Sequence, residues 1–93
     1  MNSELTTEFI SLFKKLPPYI KTLAKRNYSI WKSNPHHPSL NFKRIHSKKP
    51  IFSIRIGIGW RALGVMKGKK TIIWFWIGSH DDYDSLVKKM KQE

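Results

Sequence analysis

The hydrophobic period of the chain changes once, across Ser33-Asn34-Pro35-His36-His37-Pro38-Ser39, and that change divides a helical half from a strand half. Upstream, Leu5, Phe9, Leu12, Phe13 and Leu16 fall at the spacing of an amphipathic helix over 5–16. Pro17-Pro18 ends that helix and can open the next, because proline is tolerated in a first helical turn. Ile20, Leu23, Ala24, Tyr28 and Trp31 then repeat the helical spacing, with Lys21, Lys25, Arg26 and Lys32 on the outer sides. The two X-Pro bonds of the loop stop the helical region.

Downstream the period is about 2. Leu40 to His46 reads as a short first strand, and Ile51 to Ile58 as a clearer one, with Phe52, Ile54, Ile56 and Ile58 on one face and Ser53 and Arg55 on the other. Gly57-Ile58-Gly59 is a flexible corner before a third strand, Trp60 to Met66. Lys67-Gly68-Lys69-Lys70 is a hairpin turn, and Thr71 to Gly78 is apolar on both faces, as a covered central strand requires. Trp74 and Trp76 there fall at core-periodic positions. Ser79 and Asp82 make a capping-box-like helix start, and Tyr83, Leu86, Val87 and Met90 stripe a last helix. The expected architecture is a single α+β domain over 1–93. Two N-terminal helices pack on a mainly antiparallel four-stranded sheet, with one C-terminal helix.

Charge narrows the function. Eighteen Lys and Arg against six Asp and Glu give +12, and residues 9 to 80 hold 15 of those bases and no carboxylate. So one-sided a domain repels itself unless a polyanion or an acidic protein offsets it, so a nucleic acid or ribosome partner is expected. The absence of cysteine excludes a disulfide scaffold, a thiolate zinc site and a cysteine nucleophile. No apolar run approaches the ~20 residues of a membrane span, and the N-terminus lacks a signal-peptide core, so a cytoplasmic domain is expected.

Arg55 and Arg61 flank the glycine corner, where a hairpin brings two planar guanidiniums to neighbouring strand ends, a pair suited to one phosphate. Lys43 and Arg44 on the adjacent strand extend this into a basic floor, and Lys67 and Lys69 of the turn are further nucleic-acid contacts. His80, where the central strand gives way to a helix, is the natural proton carrier near neutral pH, with Tyr83 about one turn on. No metal is expected: adjacent His36 and His37 do not converge on one ion, and Asp81, Asp82 and Asp84 suit a helix N-terminus.

The element order, Ile54-Arg55-Ile56-Gly57 running into Trp60-Arg61, and Trp76-Ile77-Gly78-Ser79-His80 followed by Tyr83 resemble the RelE/ParE superfamily of type II toxins. That resemblance implies a RelE-like fold, no cofactor and a cognate antitoxin that covers the toxin. RelE-like members cleave messenger RNA in the ribosomal A site without metal, whereas ParE-like members poison DNA gyrase. On the first reading Arg55 and Arg61 stabilise the phosphate, His80 is general acid or base, and Tyr83 stacks on a base or handles a proton. The alternatives are gyrase inhibition or a non-catalytic nucleic-acid-binding relative.

Overall fold

The structure, a computed structural model, describes residues 1–92. Its elements are β1 (Asn2–Leu5), α1 (Thr7–Lys14), α2 (Pro18–Ser33), a 3-10 turn at Pro38–Leu40, β2 (Lys43–Arg44), β3 (Ile51–Ile56), β4 (Trp60–Lys67), β5 (Thr71–Ser79) and α3 (His80–Lys91). The strands form one sheet in the order β1-β5-β4-β3-β2. Strands β2 to β5 pair antiparallel, as the short connections dictate.

The N-terminus corrects the expected four-stranded sheet. Leu5 does not begin a helix. Residues Asn2 to Leu5 form a fifth strand, parallel to β5, in register from Asn2 opposite Thr71 to Leu5 opposite Trp74. The sheet is therefore mixed. The chain turns out of it at Thr6, whose amide donates to the Trp74 carbonyl and whose side chain caps α1 by accepting from the Phe9 amide. Four residues of which only Leu5 is apolar carry no usable period, so only pairing with the β5 edge reveals the strand. The first strand of the sheet's other edge is likewise shorter than expected, Lys43–Arg44 rather than Leu40 to His46.

Helices α1 and α2 cover one face of the sheet. The core there gathers Leu16, Ile20, Ala24 and Trp31 against Ile54, Ile56, Ala62, Ile72, Trp74 and Ile77. Trp31 is 0% exposed and meets Trp74 edge-on at 5.3 Å between ring centroids. Asn27, also buried, donates to the Arg55 carbonyl at 3.0 Å and so ties α2 to β3.

Strand β5 breaks its own alternation once. Leu63 of β4 stands opposite Trp76 and Gly64 opposite Trp74, so Phe75 is an extra residue, a β-bulge. Ile72, Trp74 and then Ile77 face the helical core, while Trp76 and Gly78 turn to the opposite face. The period-2 expectation of one face for Trp74 and Trp76 is thus overturned by one inserted residue. Gly64 has no room for a side chain beside this bulge: a Cβ would lie 2.7 Å from the Ile72 side chain and 2.8 Å from the Trp74 ring. Gly64→Ala is expected to destabilise the fold by about 1–3 kcal/mol through overpacking, read as a lower midpoint in urea unfolding at unchanged slope.

Candidate nucleic-acid site

The face opposite the helical core is built from alternate residues of β3 and β4. Arg55 stands directly across from Arg61, and Ser53 from Leu63. Side chains so paired lie on one face with Cβ atoms roughly 4.5–5.5 Å apart, where like charges oppose folding by about 0.2–1 kcal/mol. The hairpin therefore holds two cations together at a cost that a bound anion removes. Gly57, at φ +61°, turns the chain between them, and a Cβ there would sit 2.9 Å from Leu23.

Arg61 is anchored and Arg55 is exposed. One terminal nitrogen of Arg61 donates to the Trp60 carbonyl at 2.8 Å and to the Ile58 carbonyl at 3.2 Å. Burial, and then the charge of Arg55, push the Arg61 guanidinium below its ordinary value, with Tyr83 and Asp84 opposing. The group remains a cation at neutral pH, because a guanidinium does not lose its proton in proteins. Its remaining donors are those that could grip a phosphate.

Helix α3 brings the other groups. Ser79 caps it by accepting from the Asp82 amide at 3.2 Å, the cap that the sequence suggested. The His80 amide donates to the Gly59 carbonyl at 2.8 Å, which pins the helix start to the corner between the two arginines. Tyr83 leans over the sheet: its hydroxyl reaches Ser53 at 3.4 Å, and its ring lies 6.1 Å from that of His80 and 6.5 Å from that of Trp76. At its far end α3 is held by His46, whose Nε2–H donates to the Met90 carbonyl while Nδ1 accepts from the amides of Lys48 and Lys49.

His80 Nδ1 lies 3.1 Å from Asp84 Oδ2, one turn along the helix. Nδ1 therefore carries the proton toward the carboxylate, and Nε2 is left as the exchangeable atom. His80, Asp81 and Asp84 each bring one potential ligand atom within 4.8 Å of the others. Asp81 lies in the first turn of α3, where negative charge is favoured, and Asp84 opposes the lowering of the Arg61 guanidinium.

The other bases separate by position. Lys43 pairs with Ser53 and so shares the Arg55–Arg61 face. Arg44 pairs with Phe52 on the opposite face, and its Nε donates to the His46 carbonyl at 2.9 Å. Lys67 lies six residues along β4 from Arg61, roughly 20 Å at strand rise, with Lys69 in the turn beyond it. The basic floor thus reduces to Lys43, Arg55 and Arg61. Trp76 joins this face unannounced, and Asn27 supports it from the helical side through the Arg55 carbonyl: nothing in sequence spacing shows a buried amide reaching a strand carbonyl or a bulge turning an indole.

The sequence profile of the ParE-like toxin domain matches residues 18–85. Among curated proteins none matches the chain. The fold is similar to a chain of the RelB–RelE antitoxin–toxin complex of Methanococcus jannaschii, at TM-score 0.70 and 20% identity over 89% of this chain and 96% of that one. It is similar to a chain of the RelE–RelB complex of Pyrococcus horikoshii, at TM-score 0.67 and 11% identity over 84% and 92%. It also resembles the isolated E. coli RelE toxin, at TM-score 0.63 and 13% identity over 96% and 97%.

Asp84 fixes which ring nitrogen of His80 holds the proton, and that is measurable without any substrate. With the imidazole neutral, ¹⁵N shifts of His80 are expected to show the Nδ1–H tautomer in wild type and a redistribution toward Nε2–H in Asp84→Leu. Identical shifts in the two proteins would show that the pair sets no tautomer.

Proposed function

The chain belongs to the ParE-like toxin family, and we propose that it is the toxin of a type II toxin–antitoxin pair that cleaves messenger RNA on the ribosome, without a metal. The observation that carries this reading is the pairing of Arg55 with Arg61 across a hairpin whose corner also fixes His80. One phosphate, one proton carrier and two cations then share a site.

The reaction that suits them is attack of a ribose 2′-oxygen on the adjacent phosphorus. His80 Nε2 takes the 2′-hydroxyl proton, with Asp84 holding Nδ1–H and stabilising the imidazolium that forms. Arg55 and Arg61 meet the charge that develops on the non-bridging oxygens. The 5′-oxygen leaves as its bond to phosphorus breaks, taking the proton of Tyr83, whose hydroxyl is placed by Ser53. The products are a 2′,3′-cyclic phosphate and a 5′-hydroxyl end. Tyr83 is reprotonated as His80 releases its proton to water.

On the other face of the sheet a groove of about 340 Å³ between α1 and α2 is lined by Leu5, Phe9, Phe13, Tyr28, Ile54 and Trp74, with Lys14 and Lys25 at its edge. An apolar floor with a cationic edge fits an amphipathic acidic segment of the antitoxin. The ParE-like profile match favours a second reading, inhibition of DNA gyrase, which needs no proton carrier at residue 80.

Mapping of 5′ ends on a defined messenger RNA in a purified translation system separates the two. Wild type is expected to produce 5′-hydroxyl ends at A-site codons only when ribosomes are present. His80→Ala is expected to slow cleavage about 10²–10⁴-fold, and Arg61→Ala about 10²–10³-fold, with far-UV circular dichroism unchanged. Intact messenger RNA with a protein that still arrests growth, or that blocks supercoiling by gyrase, would overturn the nuclease reading.

A further inference from the structure

Trp76 has no place in the chemistry above, and it is not in the core. The bulge at Phe75 turns it onto the arginine face, where it remains partly exposed. Its indole extends along the strand over Gly78: a Cβ on Gly78 would fall 2.6 Å from the indole Cζ2 and 2.8 Å from Cη2. Gly78 is the residue opposite Arg61. The missing side chain therefore lets the ring run toward the arginine pair, from a Cα two residues away, roughly 6–7 Å along the strand.

The surroundings of the ring suit a planar polar ligand. Tyr83 stands 6.5 Å away at an interplanar angle of 40°. A cationic pair next to an accessible aromatic ledge is the arrangement that binds single-stranded nucleic acid, phosphate on the cations and base on the ring.

We propose that Trp76 is a nucleobase-stacking residue, its ring receiving the base of a nucleotide next to the phosphate gripped by Arg55 and Arg61. This rests on the ribonuclease reading but concerns binding rather than cleavage. Burial alone would have been served by an unbroken strand that kept Trp76 beneath α1 and α2. Bulges recur beside functional sites because they re-aim one side chain. Here the side chain re-aimed is a large apolar one, sent from the core side to a cationic face.

The test is a binding cycle between the full-length toxin and short single-stranded RNA, with 2′-O-methyl groups to prevent cleavage. One oligonucleotide is intact, and the others carry a single abasic site, moved position by position. Wild type is expected to lose affinity roughly 5- to 100-fold when one particular base is removed. Trp76→Leu is expected to bind the intact RNA weaker by a similar factor and to lose nothing more at that position. Trp76→Phe, which keeps a ring, is expected to retain most of the affinity and serves as the folding control. If Trp76→Leu binds intact RNA as tightly as wild type, or still loses affinity at every abasic position that wild type senses, the proposal is overturned. Wild type that binds none of the oligonucleotides overturns it too. Failure of the ribonuclease reading shows elsewhere, as uncut messenger RNA in the translation assay.

Discussion

Strand β5 has to meet two demands at once. The strand pairs on both sides, with β1 and with β4, and must supply side chains to a helical core on one face and a cationic site on the other. Strict alternation would fix which residues go where for its whole length. The bulge at Phe75 resets that assignment halfway, so that Trp74 packs edge-on against Trp31 while Trp76 joins Tyr83. Glycine at 64 makes room on the core side of the bulge, and glycine at 78 makes room on the other. Neither residue could carry a Cβ without displacing an aromatic ring or an isoleucine.

Helix α3 contributes no fully buried side chain to the fold, yet three contacts place it. The His80 amide bonds to the Gly59 carbonyl at its start, Tyr83 reaches Ser53 in its second turn, and Met90 accepts from His46 at its end. An element with little buried apolar surface and several directional bonds is oriented more than it is stabilised. That suits the proposed site shared between a helix and a hairpin, which depends on the position of His80 relative to Arg61 more than on the depth at which α3 packs. Asp84 reinforces the arrangement from within the helix, holding the imidazole while its charge supports the guanidinium.

Two surfaces of opposite chemistry result. One face of the sheet carries cations with aromatic rings beside them; the other carries an apolar groove between α1 and α2 with a lysine edge. A protein with net charge +12 on 93 residues is relieved of self-repulsion by any partner that brings negative charge to either surface. The proposed RNA phosphate at the first and the proposed acidic antitoxin segment at the second are compatible with the same fold.

The class of this fold and the order of its helices and main strands were legible in the amino-acid sequence, because the change from period 3.6 to period 2 is local and each half follows its own rule. So was the pairing of Arg55 with Arg61, since a short glycine corner leaves a hairpin little choice of register. The cap at Ser79 was legible for the same reason: its partner amide is three residues away. The remaining features depend on partners distant in the chain. Strand β1 exists because β5 offers an edge some seventy residues later. Arg44 and Lys43 are adjacent in sequence and lie on opposite faces once β2 pairs with β3. Trp76 leaves the core because Leu63 and Gly64 are in register with residues one position further apart than alternation allows, a mismatch between two strands that neither strand contains alone.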